Sequence, residues 1–216
     1  MKSSTKAVAE FGVMLAVLFV AMTLDRAFSA WNLVSFAIVS VAATASFAML
    51  KNRPLLAIAS GSFFGLASLV TAFMFGKTAF FNPLVSVLPR MFIGITGYGA
   101  YKLAELLLCR VKNKRISEYI ALTAGAAFVA LSNTVYTLTC LWLFAQGDPL
   151  FVAFNVVFLT NALPEMVVAA LATPPIVLGV RRGLRLGIDG KPRKKERDGY
   201  GGAAEKAAEI KKDGNV

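Results

Sequence analysis

The chain contains no histidine, and only 16% of its 216 residues are charged. Without histidine there is no HExxH zinc site, no Ser-His or Cys-His nucleophile pair and no haem-ligating imidazole. An enzyme would then need a carboxylate pair or a Ser-Lys pair. Glu165 is the one deeply placed carboxylate, and no second acid accompanies it, so neither catalysis nor a metal or cofactor is expected. Cysteine is scarce as well. Cys109 and Cys140 stand in apolar surroundings with no CxxC spacing, and they read as core packing. The shortage of charge is itself a class signal, because a soluble domain is about a quarter charged and nearer half apolar. Here 57% of residues are hydrophobic and the mean hydropathy is +0.66, which leaves too little polar surface to cover a water-soluble particle.

What is present is a series of long apolar runs. About 20 apolar residues carry a helix across the hydrocarbon. Six runs qualify, at about 8–24, 33–50, 55–75, 84–108, 119–143 and 150–180. They predict an all-α membrane protein with six transmembrane helices in one bundle over residues 1–182. Residues 183–216 form a basic tail expected to be disordered, since it has almost no large apolar residues. The tail either is simply solvated or touches anionic lipid through Lys191, Arg193, Lys194, Lys195 and Arg197. The first run is expected to be retained rather than cleaved as a leader. It continues into Asp25-Arg26, and the one plausible cleavage point, after Ala30, has Phe28 at its −3 position.

Basic residues set the orientation. Lys2, Lys6, Lys51, Arg53, Arg110, Lys112, Lys114, Arg115, Arg181, Arg182 and Arg185 all fall in segments on one side. The opposite segments hold Arg26 and Lys77, and none in Gln146-Gly147-Asp148. By the positive-inside rule both termini are cytoplasmic. The net charge of +11 is thus a topology signal and not a nucleic-acid signal, as no aromatic or glycine-rich reader accompanies it.

Three residue sets do not belong in lipid. Arg90 lies about two turns into the fourth run and Glu165 near the middle of the sixth, and each must face the bundle or a watery cavity. They form a structural ion pair with each other, or Arg90 floors an outward-facing cavity and touches a ligand. Asn82, Asn133, Thr134, Tyr136, Thr137, Asn155, Thr160 and Asn161 form a second set, concentrated toward the outer leaflet. They are helix–helix glue or the lining of a polar cavity, with Phe80, Phe81 and Trp31 as aromatic walls. Small residues form the third: Ala9, Gly12 and Ala16 on helix 1, Gly61 and Gly65 on helix 3, Gly94 and Gly97 on helix 4. Such faces allow close approach inside the bundle or, for helix 1, against another membrane subunit. Pro164, Pro174 and Pro175 are expected to kink helix 6.

The run Gly65-Leu-Ala-Ser-Leu-Val, then Phe80-Phe-Asn-Pro-Leu-Val-Ser-Val-Leu-Pro-Arg90 and Gly94, resembles the substrate-binding S component of energy-coupling factor (ECF) vitamin transporters. Asn161-Ala-Leu-Pro-Glu-Met and Thr173-Pro-Pro-Ile-Val-Leu resemble the last helix of that family, and the likeness extends over residues 6–182. The resemblance implies capture of a vitamin or its precursor from outside, at a bacterial plasma membrane. It implies partners too: a transmembrane T subunit and two cytoplasmic ATPases. This chain has no G-x-x-x-x-G-K-[ST] loop, so ATP chemistry would belong to those partners. The family docks through two alanines four apart on helix 1, and here Gly12 and Ala16 have that spacing. The expected pocket residues are Phe81, Asn82, Arg90, Asn133, Tyr136, Thr137, Asn155 and Asn161. A self-sufficient secondary transporter is the other reading, although the two halves show no repeat. An anionic vitamin such as pantothenate or folate would suit Arg90, Lys77 or Arg26. Riboflavin would suit the aromatic walls, and a thiamine precursor also remains open.

Overall fold

A computed structural model describes residues 2–31, 37–144 and 162–191. These residues are almost entirely helical, with no β-strand among them. In chain order they form α1 (Lys2–Trp31), α2 (Ile38–Leu50), α3 (Pro54–Met74), a 3-10 turn (Thr78–Phe80), α4 (Pro83–Ser86), α5 (Leu88–Leu107), α6 (Lys114–Phe144) and α7 (Leu163–Gly183). Four stretches are long and apolar enough to cross a membrane: Val8–Phe28, Pro54–Met74, Lys114–Phe144 and Leu163–Gly183. α5 has the length, but Arg90, Lys102 and Glu105 dilute its apolar character. α2 is apolar but has 13 residues, about 20 Å of helix against roughly 30 Å of hydrocarbon.

Several boundaries differ from the hydropathy runs, each for a physical reason. The fourth run is not one helix. Pro89 lacks an N–H and its ring crowds the carbonyl four residues back, so the chain breaks at Val87 into α4 and α5. α1 runs on through Asp25 and Arg26, which are 2% and 3% exposed inside the bundle and not in a loop. α6 begins at Lys114, taking Lys114 and Arg115 into its first turn. α7 continues through Pro174-Pro175 to Gly183 and thereby contains Arg181. Residues 184–191 have defined backbone hydrogen bonds, Leu186 N–H to Arg181 O at 2.8 Å and Gly187 N–H to Lys191 O at 2.7 Å. Cys140 is buried, whereas Cys109 is exposed and packs no core.

α2 is the centre of the bundle and touches α1, α3, α5, α6 and α7. Val41, Ala45, Ala48 and Met49 bury completely against Ala57 and Phe64 of α3, Ile93 and Tyr101 of α5, Leu122 and Ala126 of α6, and Ala169 and Val177 of α7. The helices behind it are drawn close by missing side chains. A Cβ on Gly94 would overlap the Ala57 carbonyl of α3, and one on Gly61 the Arg90 carbonyl of α5. A Cβ on Gly65 would press on the backbone of Val87, so the pair Gly61 and Gly65 makes room for the α4–α5 break. Gly97 admits Val129, and Gly125 admits the Met49 sulfur. α1 and α7 are the looser members. An apolar hollow of about 470 Å³ lies between them over α2, lined by Val17, Ala42, Ala43, Ala172, Ile176 and Val180 among others.

The end of the bundle near Lys51 and Arg181 is clamped by one guanidinium. Arg181 is 1% exposed. Its Nε donates to Leu50 O at 2.9 Å, its Nη2 to Met49 O, and its Nη1 to the Glu118 carboxylate and to Ile188 O. The Tyr101 hydroxyl donates to the same Glu118 oxygen at 2.8 Å. One side chain of α7 thus satisfies the free carbonyls at the end of α2 and neutralises a buried acid of α6.

The glycine contacts predict a contrast. Gly94→Ala should lower the thermal stability of the purified chain in detergent by roughly 1–3 kcal/mol, as two backbones must separate. Gly12→Ala should change it by less than about 0.5 kcal/mol, because nothing lies within 4 Å of a Cβ there. Melting curves read by tryptophan fluorescence check both.

Candidate functional site

The opposite end of the bundle holds a second set of buried polar groups. α2 starts there with free backbone N–H groups, which a short helix ending inside the protein cannot give to water. Asp25 of α1 accepts from Val39 N–H at 3.0 Å, from Ser40 N–H at 2.8 Å and from the Ser40 hydroxyl at 2.6 Å. Glu165 of α7 accepts from Ala37 N–H at 2.8 Å and, more distantly, from the Asn133 amide at 3.4 Å. Two carboxylates therefore meet the positive end of the α2 dipole.

This arrangement corrects the expected structural ion pair. Arg90 and Glu165 form no salt bridge. Glu165 sits in the first turn of α7 and serves α2. Arg90 serves its own chain break. Its Nη1 donates to Val85 O at 2.8 Å and to Ser86 O at 3.0 Å. Val85 O is the carbonyl that Pro89, lacking an N–H, cannot satisfy. The Arg90 guanidinium also lies 5.6 Å from the Phe64 ring centroid and 5.2 Å from that of Phe80. Arg26 lies on Phe80 too, at 5.0 Å. The Ser86 hydroxyl donates to Phe80 O and anchors that ring's backbone. Two buried cations on one aromatic ring are the main electrostatic feature of this end.

The other expected site residues divide. Asn82 caps α4, its side-chain oxygen accepting from Leu84 N–H at 2.9 Å, which is a local folding role. Phe81 is half-buried and stacks on Phe73 at 4.6 Å. The Tyr136 hydroxyl lies 3.3 Å from that of Thr96 and bridges α6 to α5. Asn133 and Thr137 are one turn apart on α6, 5% and 8% exposed. Asn133 Oδ1, Thr137 Oγ1 and Arg90 Nε are buried and have no hydrogen-bond partner among the described residues. Asn155 and Asn161 lie outside the described residues. Ala9, Gly12 and Ala16 are all exposed, so the helix 1 stripe is not used inside the bundle. Among the described residues no group of His, Cys, Asp or Glu suits a metal ion.

Sequence reasoning missed Asp25, Glu118 and Arg181 as structural keystones. The available signal was an Asp-Arg pair inside an apolar run, read as a loop, and an arginine at the end of a span, read as a topology mark.

Fold and site together define a helical integral membrane protein in which Asn133, Thr137 and Arg90 each bury a polar atom with no hydrogen-bond partner among the described residues. No family model matches the chain. The chain is similar to a transporter: the pantothenic acid transporter PanT of Lactococcus lactis subsp. cremoris (strain MG1363) is 28% identical to it over 151 residues. The match covers 68% of this chain and 62% of the relative's length.

The α2 cap yields a test. Glu165→Ala leaves the Ala37 N–H unmet in a dry setting and should cost about 1–3 kcal/mol. Glu165→Gln keeps an acceptor oxygen and should cost clearly less. Hydrogen–deuterium exchange over residues 37–50 should rise in the first variant and change little in the second.

Proposed function

We propose that this chain is the solute-binding S component of an ECF-type vitamin importer, with pantothenate as its cargo. The observation that carries this reading is that buried atoms of Asn133, Thr137 and Arg90, in an apolar bundle, have no hydrogen-bond partner among the described residues. Polar groups so placed lose hydration on folding and regain partners when a solute enters. The similarity to a pantothenic acid transporter supports the vitamin class and the particular cargo.

The basic end, with Lys51, Lys114, Arg115, Arg182 and Arg185, faces the cytoplasm by the positive-inside rule. The polar end then faces outward, where the solute is captured. Apolar and aromatic walls desolvate it, and Asn and Thr side chains supply the orienting hydrogen bonds. Uptake is driven by partners, a transmembrane T subunit and two ATPases. The exposed stripe Ala9, Gly12 and Ala16 supports such docking, since small residues let a partner helix approach closely.

Two outcomes are expected. The purified chain binds one pantothenate, detected by calorimetry, but vesicles containing it alone accumulate none; accumulation by the isolated chain would establish a self-sufficient transporter instead. Gly12→Leu leaves pantothenate binding intact and abolishes co-purification with the T subunit. Retained assembly in that variant would remove the helix 1 docking role.

A further inference from the structure

We propose that the apolar hollow between α1 and α7 is a lipid site, which holds one acyl chain of an anionic phospholipid with the phosphate at the basic end of the bundle. This goes beyond the solute-binding reading above and does not depend on the cargo.

The hollow is floored by α2 and runs from Ile38 to Leu50 on that helix and from Val168 to Val180 on α7. Either stretch measures about 18 Å at 1.5 Å per residue. One leaflet contributes roughly 15 Å of hydrocarbon, half of the membrane core, so the length is that of a single acyl chain. Spread over this length, 470 Å³ gives a mean section of about 26 Å². That is too narrow for a helix, which is about 10–12 Å across. The lining offers no free polar group. Ser46 is its one polar residue, and that hydroxyl donates to Ala42 O within α2 at 2.8 Å. Neither water nor a hydroxylated or charged solute finds a partner in such a space. The hollow also opens sideways, since Val39 and Ile176 on its walls are 40% and 47% exposed. A chain from the surrounding lipid enters without displacing a helix.

The headgroup is specified by what lies at one end of the hollow. Leu50 and Val180 close it where the basic residues of the bundle concentrate. Arg53 stands three residues past Leu50 and Arg182 two past Val180. Both are exposed, and neither forms a salt bridge among the described residues. Lys51 follows Leu50 directly and pairs with Glu10 of α1 at 2.5 Å, which ties α1 to this end. Arg181 takes no part, because its donors are spent on Met49, Leu50, Glu118 and Ile188. A guanidinium fork matches phosphate oxygens. The positive-inside rule places these arginines at the cytoplasmic leaflet, whose surface is anionic. Chain and head thus meet complementary surfaces at one depth in the membrane.

The test loads the delipidated full chain in detergent with dioleoyl-phosphatidylglycerol and reads retained lipid by native mass spectrometry. One lipid per chain should be retained. Dioleoyl-phosphatidylcholine, with the same chains and no net charge, should be retained roughly tenfold more weakly. Phosphatidylglycerol with six-carbon chains should also be retained roughly tenfold more weakly, since it leaves most of the hollow unfilled. Ala172→Phe fills the hollow from its α7 wall and should weaken retention of the long-chain anionic lipid about tenfold, with the melting temperature checking that the fold is kept. Arg53→Gln combined with Arg182→Gln should bring phosphatidylglycerol down to the phosphatidylcholine level. No retained lipid, equal retention of long and short chains, or equal retention of the two headgroups overturns the proposal, and these comparisons need no variant to fold. Retention that a folded Ala172→Phe chain leaves unchanged places the lipid elsewhere on the surface and overturns it as well. A dimer in place of a lipid adduct does the same, by giving the hollow to a second copy.

Discussion

A 13-residue helix whose two ends both stop inside the protein governs this structure. Helix ends leave free N–H groups at one end and free carbonyls at the other, and in an apolar bundle water is not there to take them. α2 meets this constraint with charges of the matching sign from its neighbours. Asp25 and Glu165 stand at its start, and Arg181 stands at its finish. Each of these groups faces the dipole end that its charge complements, and together they tie α1 and α7 to α2. The register of α1 and α7 against the centre is set in this way, at both levels of the bundle.

The same constraint shapes the candidate site. Because Glu165 is engaged by the start of α2, it forms no salt bridge with Arg90. Arg90 is placed by a second backbone defect, the carbonyls freed at the α4–α5 break, and by two aromatic faces. The break is possible because Gly61 and Gly65 let α3 lie directly on it. Close glycine packing on one side of α2 contrasts with the apolar hollow between α1 and α7 on the other. The closely packed side carries Arg90 and the α4–α5 break, and the open side presents α1 with its exposed small-residue stripe.

Much of this was legible in the sequence. The order of the long helices followed from apolar runs, and α3 matched its run to within a residue at each end. Burial of Arg90, Glu165, Asn133 and Thr137 followed from the cost of such groups in lipid. Their partners did not follow. Arg90 and Glu165 looked like a pair because each needed a counter-charge, yet both found backbone groups, and no sequence pattern records a free carbonyl or amide in a distant helix. Asp25 and Arg26 looked like loop residues because hydropathy cannot separate a charge at a helix exit from one capped inside a bundle. Arg181 was miscounted for the same reason.

The order of apolar and basic residues along the chain determined that it is a helical membrane protein with its basic residues concentrated at one end, since those properties depend only on local hydropathy and charge. Tertiary structure decided which partner each buried charge meets. That choice rests on distances between residues as far apart in the chain as Ala37 and Glu165 or Leu50 and Arg181. Hydrogen bonds act over about 3 Å of space and take no account of separation along the chain.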